Sequence, residues 1–175
     1  MNNAEGSRMV ALRSSDGMTL LATRGAMRLS NTINMMLENL GIDCDGVTEK
    51  EIGPVPLSEL DAFSLRKVIE WCEHHHSDME CDKNSANKSS SYEDFSDWDK
   101  HFLDVTNEEL IRIVNAANFL DIDALMQMLA IKVAGMITGK KVEEVRAMFG
   151  IVNDFTPEEE EQIRLETAWV EDPAN

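Results

Sequence analysis

The chain has 175 residues, 43% hydrophobic and 6% aromatic, enough for one compact domain with an appendage but too few for two full domains. Thirty-three acidic residues against sixteen Lys and Arg give a formal charge of -17, which argues against nucleic acid and membranes as partners and favours basic protein surfaces. Three cysteines without CxxC spacing argue against a structural zinc site or disulfide framework, and no apolar run approaches a membrane span, so the expected compartment is cytoplasm or nucleus.

Residues 8–23 read as two strands, Met9 to Leu12 and Met18 to Ala22, around Ser14-Ser15-Asp16-Gly17, whose Asp-Gly is a strong turn signal. Ala26, Leu29, Ile33, Met36, Leu37 and Leu40 then recur at helical spacing up to Gly41, a C-cap candidate. Pro54-Val55-Pro56-Leu57 suits a short edge strand, since each proline removes a backbone donor. Asp61 is an N-cap candidate for a helix carrying Leu65, Val68, Ile69 and Cys72 on one face. Residues 74–97 are polar, rich in Ser, Asn and Asp, and predict a flexible insertion.

Beyond the insertion the pattern is helical. Thr106-x-x-Glu109 is a capping-box signature for a helix through Leu120. Asp121 or Asp123 can cap the next helix, which runs to about Ile137 before Gly139. A shorter helix is expected over Val142 to Phe149. Thr156-Pro157-Glu158-Glu159 opens a last one of about 14 residues, with an N-cap, a proline at the first position and Glu at the third.

Three of these helices carry more apolar surface than one core requires. Leu110, Ile113, Val114, Ala117 and Leu120 form a core stripe, while Ile111, Asn115, Asn118 and Phe119 form a second one. Either both stripes bury within one domain or one of them docks a partner, with Phe119 as an aromatic anchor. Residues 124–137 are apolar nearly all round, suiting either a central core helix or one flank covered by a second protein. Ile163, Leu165, Trp169 and Val170 lie on a final helix too short to be stable alone, which must dock on its own chain or on a partner.

Catalytic chemistry finds no frame. His74, His75 and His76 sit where a helix runs into the insertion and read as solvated loop histidines rather than zinc ligands. Gly139-Lys140-Lys141 lacks the glycine frame of a phosphate loop, and neither GxSxG nor HExxH occurs. The expectation is a protein without catalytic residues, metal or cofactor.

Several strings carry a resemblance: Ser14-Ser15-Asp16-Gly17, Met36-Leu37-Glu38-Asn39-Leu40-Gly41, Pro54-Val55-Pro56-Leu57, Lys67-Val68-Ile69-Glu70-Trp71-Cys72, Trp98-Asp99 to Phe102-Leu103 and Ala116-Ala117-Asn118-Phe119-Leu120-Asp121-Ile122. Glu143-Glu144-Val145-Arg146, Asn153-Asp154-Phe155-Thr156 and the Glu-rich helix ending at Trp169 follow in the same order. Over about residues 10–170 the chain resembles the S-phase kinase-associated protein 1 family, linker subunits of SCF ubiquitin ligases.

The resemblance implies an α+β fold: a BTB/POZ domain over residues 8–137, with a small mixed sheet, packed helices and the insertion at 74–97, then a C-terminal helical extension over 138–175. It implies an adaptor that joins a cullin N-terminal region to F-box proteins in ubiquitin-dependent degradation. The cullin contact is expected at Asn118 and Phe119, with Ile111 and Asn115 on the same stripe. The F-box contact is expected at Val133, Ile137, Ile151, Asn153 and Trp169, with Ile163 on the last helix. The chain departs from the family in having Phe119 for the usual Tyr, a less acidic Ala22 to Arg28, and Lys141-Val142 for Thr-Pro, which weakens a helix cap. It reads as a diverged paralogue. The alternative is a structural interaction protein that binds F-box-like helices or forms a homodimer when no F-box protein is bound, without serving a cullin.

Overall fold

The computed structural model describes residues 9–39, 53–81 and 92–167. Strands β1 (Met9–Ser14) and β2 (Thr19–Thr23) pair antiparallel, with Val10 opposite Ala22 and Leu12 opposite Leu20. Between them the Ser14 N–H donates to the Met18 carbonyl (2.9 Å) and the Gly17 N–H to the Ser14 carbonyl (3.0 Å), with Gly17 at φ 83°. That left-handed conformation is cheap for glycine alone. Strand β3 (Val55–Leu57) joins the other side of β1 in parallel, giving the order β2-β1-β3. Val55 and Leu57 are buried and Pro56 is exposed, on an edge where its missing N–H is tolerated.

The single helix expected from Ala26 to Leu40 is two: α1 (Arg24–Met27) and α2 (Asn31–Asn39). The break falls at Ser30, whose hydroxyl accepts from the Ile33 N–H (3.1 Å) and donates to the Leu120 carbonyl (2.6 Å). A serine that caps a new helix and bonds a distant carbonyl stops the first helix more effectively than apolar periodicity can extend it. Gly41, the expected C-cap, lies outside the described residues. Ala22, Ala26 and Met27 are buried, so the divergent Ala22 to Arg28 stretch sits partly in the core.

Asp61 caps α3 (Ala62–Cys81), accepting from the Ser64 N–H (3.0 Å). The helix runs through His74–His76 into the stretch expected to be a flexible insertion. Two of its histidines lie on the helix against rings rather than in a loop: His75 stacks on Trp71 (4.3 Å between centroids) and His74 on Trp98 (3.8 Å). The same stretch holds a 3-10 turn at Tyr92–Asp94 and the start of α4 (Asp97–Phe102), capped by Ser96. This order was not legible from local sequence because Trp98 of α4, far along the chain, packs on His74 and His75 of α3.

Helix α5 (Asn107–Phe119) opens on the predicted box: Thr106 Oγ1 accepts from the Glu109 N–H (3.3 Å), and Glu109 accepts from the Thr106 N–H (2.9 Å). Helix α6 (Asp123–Ile137) is capped by neither expected aspartate. Ile122 occupies the N-cap without a side-chain bond, while Asp121 adopts φ 52° and accepts from the Asn31 amide (3.0 Å). Leu12, Ile33, Leu65, Leu110, Ile113 and Leu125, all nearly inaccessible, fill the core among the sheet, α2, α3, α5 and α6. Each contributes on the order of 1.5–3 kcal/mol of burial.

The chain divides after Thr138 into two compact units. The second contains α7 (Val142–Phe149) and α8 (Pro157–Thr167). At the departure Lys141-Val142, the lysine at the N-cap has no acceptor, and only half a capping box remains, Glu144 accepting from the Lys141 N–H (2.9 Å). Helix α7 ends at Gly150 (φ 64°), where the Ile151 N–H reaches back to the Arg146 carbonyl (2.9 Å). Helix α8 opens on a complete box between Thr156 and Glu159, with Pro157 at its first position.

Candidate partner-binding surfaces

The inner stripe of α5, Leu110, Ile113, Ala116 and Ala117, is buried, and the outer stripe is open. Ile111 is 37% exposed, Asn115 and Asn118 are exposed, and Phe119 is half-buried against the core. Neither amide has a protein hydrogen-bond partner among the described residues, so two donor–acceptor groups stand ready beside an apolar edge. The sequence left open whether this stripe is covered; within this unit it is not.

The last carbonyls of α5, which a helix leaves unpaired, are taken up by the start of α2. Ser30 donates to Leu120 O, Thr32 Oγ1 donates to Phe119 O (3.0 Å), and the Asn31 N–H donates to Asp121 O (3.3 Å). These bonds fix the turn carrying Asn118 and Phe119. The sequence reading missed a neighbouring feature: Arg112, also exposed, lays its guanidinium 4.8 Å from the Phe63 ring centre and pairs with Asp61.

Along α6 burial fades. Leu125, Met128 and Leu129 are buried, Val133 is partly covered, and Ile137, one turn on, is 40% exposed. In the second unit no residue of α7 or α8 is buried, and Ile151 to Thr167 are all exposed. Ile151, Val152, Phe155, Ile163 and Leu165 therefore present apolar side chains to solvent. Asn153 is pinned instead: its amide donates to Glu160 (2.5 Å) and its Oδ1 accepts from the Phe155 N–H (3.3 Å). Glu160 also meets Arg146 (3.5 Å), whose guanidinium lies 5.5 Å from the Phe155 ring centre. Trp169 lies outside the described residues.

Two groups that could carry chemistry, Cys72 and His75, are engaged within the fold. Burial, then the charge of Glu73, pushes the Cys72 thiol up to about 12, the state of an inert core thiol rather than a nucleophile. His75 Nδ1 lies 3.0 Å from the Trp71 carbonyl and its Nε2 lies 3.1 Å from an Asp99 carboxylate oxygen, out of line for a hydrogen bond. Among the described residues no cluster of three His, Cys, Asp or Glu is placed to hold a metal, and no helix is long and apolar enough to cross a membrane.

Comparison with known proteins decides the family. Residues 8–77 match the Skp1 family tetramerisation domain and residues 123–170 the Skp1 family dimerisation domain. A Skp1-related protein of Caenorhabditis elegans is 45% identical over 98% of this chain and 97% of its own length. The chain belongs to the Skp1 family. The E3 ubiquitin ligase complex SCF subunit sconC of Talaromyces marneffei is 42% identical over 95% of this chain and 99% of that one. The sconC subunit of Arthroderma benhamiae is also 42% identical, over 93% of this chain and 95% of its own.

On this Skp1-family chain the four α5 residues singled out from sequence share one open face, and Val133 and Ile137 share the fading end of α6. Ile151, Asn153 and Ile163 lie in the second unit with Val152, Phe155 and Glu160, which the sequence reading had not named as contacts. An exposed apolar residue next to an acidic N-cap motif was a legible sign for Phe155. The role of Glu160 was not legible in a run of four glutamates.

Proposed function

We propose that this chain is a non-catalytic adaptor of an SCF-type cullin ubiquitin ligase, joining a cullin N-terminal region to F-box substrate receptors. The open α5 face, Ile111, Asn115, Asn118 and Phe119, takes the cullin. The end of α6 and the second unit, with Val133, Ile137, Ile151, Asn153, Ile163 and Trp169, take the F-box. The carrying observation is that α7, α8 and the connector between them display Ile151, Phe155, Ile163 and Leu165 without burying one residue. Such a unit gains its burial from a partner helix. The adaptor works by proximity, since holding receptor and scaffold on one body raises the effective concentration of substrate at the ligase.

Full-length likeness to subunits named as SCF components supports the reading; cytoplasm and nucleus are the compartments proposed with it. The same exposed apolar residues favour one secondary state, a homodimer through the second unit when no F-box protein is bound. The test is pull-down with a cullin N-terminal domain and, separately, an F-box domain. Phe119→Lys is expected to lose the cullin and keep the F-box. Loss of both, or of neither, contradicts the two-surface reading.

A further inference from the structure

The open face of α5 carries a cation that the adaptor reading leaves unused. Arg112 lies one residue from Ile111 and three from Asn115, on the solvent side of the helix, with its side chain 48% exposed. It is held from two directions. Its guanidinium lies over the Phe63 ring (4.8 Å), and one Nη meets the Asp61 carboxylate, whose other oxygen caps α3 at the Ser64 N–H (3.0 Å). Asp61 is thus fixed by the start of α3 and cannot follow the arginine outward. A guanidinium carries five N–H donors in a planar fork, and a single carboxylate oxygen on one Nη leaves most of them for another acceptor.

We propose that Arg112 is a specificity-determining residue of the cullin-binding face, offering its remaining donors to a carboxylate on the cullin. The inference rests on the adaptor reading of the α5 face and deepens it. Arg112 and Phe119 are seven residues apart, so the carboxylate belongs about 10 Å along the α5 axis from the site that receives Phe119. Complementarity of charge makes the contact selective. A chain of net charge -17 repels an acidic partner at long range, so a carboxylate is welcome only where a fixed cation meets it. A cullin with a neutral or basic side chain at that point leaves the Arg112 donors unmatched and is disfavoured. Pinning by Phe63 and Asp61 means that little side-chain freedom is lost on docking.

Calorimetric titration of the full chain with a cullin N-terminal domain, at low and at physiological salt, tests the assignment with Arg112→Gln and Arg112→Glu. Arg112→Glu is expected to weaken binding by about tenfold or more at low salt, and Arg112→Gln by less, each loss shrinking at physiological salt. Affinity for an F-box domain and thermal unfolding of the first unit, measured on the same preparations, are expected to stay unchanged, which excludes a folding defect. Equal cullin affinity and salt dependence for wild type and Arg112→Glu overturn the role of Arg112 and leave the adaptor reading standing. Failure of the wild type to bind any cullin domain overturns both.

Discussion

The Glu160 carboxylate of α8 accepts a 2.5 Å hydrogen bond from the Asn153 amide and so ties the connector between α7 and α8 to the second helix. Arg146 reaches the same carboxylate from α7 at 3.5 Å. Because neither helix buries a residue, polar contacts of this kind, together with the caps, give the second unit its shape. Ile151 and Phe155, on either side of Asn153, take their positions from it.

Glu160→Ala removes the shared acceptor and frees the connector. An F-box domain is expected to bind about 2–10-fold more weakly, the cost of one or two exposed polar contacts. Calorimetry measures it. Thermal unfolding of the first unit is expected to be unchanged, since Glu160 belongs to the second.

Phe119 is half-buried, with its backbone carbonyl held by Thr32. Phe119→Tyr adds a hydroxyl to a turn that is already fixed. If the cullin offers an acceptor to a tyrosine at this position, affinity rises several-fold, about 0.5–1.5 kcal/mol. An unchanged dissociation constant shows that this chain's cullin has no acceptor there.

Two leucines separate folding from binding. Leu125 is fully buried and Leu165 is 67% exposed. Leu125→Ala is expected to lower unfolding free energy by about 2–5 kcal/mol. Leu165→Ala is expected to stay within about 0.5 kcal/mol while weakening F-box binding. Urea unfolding beside calorimetry reads both quantities.

Acid should fray α5 and α8 at their first turns. Bonds from the Thr106 N–H, then from its hydroxyl, hold the Glu109 carboxyl below its ordinary value of 4.5. The Thr156 N–H, then its hydroxyl, do the same for Glu159. A carboxyl lowered in the folded state contributes stability above its unfolded value, and that contribution is lost as pH falls through the folded one. Both caps therefore hold at neutral pH and weaken below 4.5. Amide chemical shifts of residues 107–110 and 158–160 report the change, and Glu159→Gln is expected to remove it at α8.

What could be read from the sequence was local. Both capping boxes, the Asp-Gly hairpin and the span of α7 depend on residues within four positions of one another, so composition and spacing suffice. The break at Ser30 was not legible because its hydroxyl answers to Leu120, 90 residues away. Asp121 looked like a cap, yet its carboxylate is claimed by Asn31 at similar separation. His74 and His75 looked like loop residues because Trp98 and Asp99, which engage them, arrive on another helix. The candidate surfaces follow the same rule. The α5 stripe is a spacing pattern and was visible, whereas the Arg112, Phe63 and Asp61 group crosses 51 positions and was not.

The central claim is that one chain holds two partners on separate surfaces. Light scattering coupled to size exclusion, on this chain mixed with a cullin N-terminal domain and an F-box domain, tests it most directly. A single species with the mass of a one-to-one-to-one complex is expected. Two binary complexes that exclude each other, or a free cullin domain beside an adaptor–F-box pair, would contradict it.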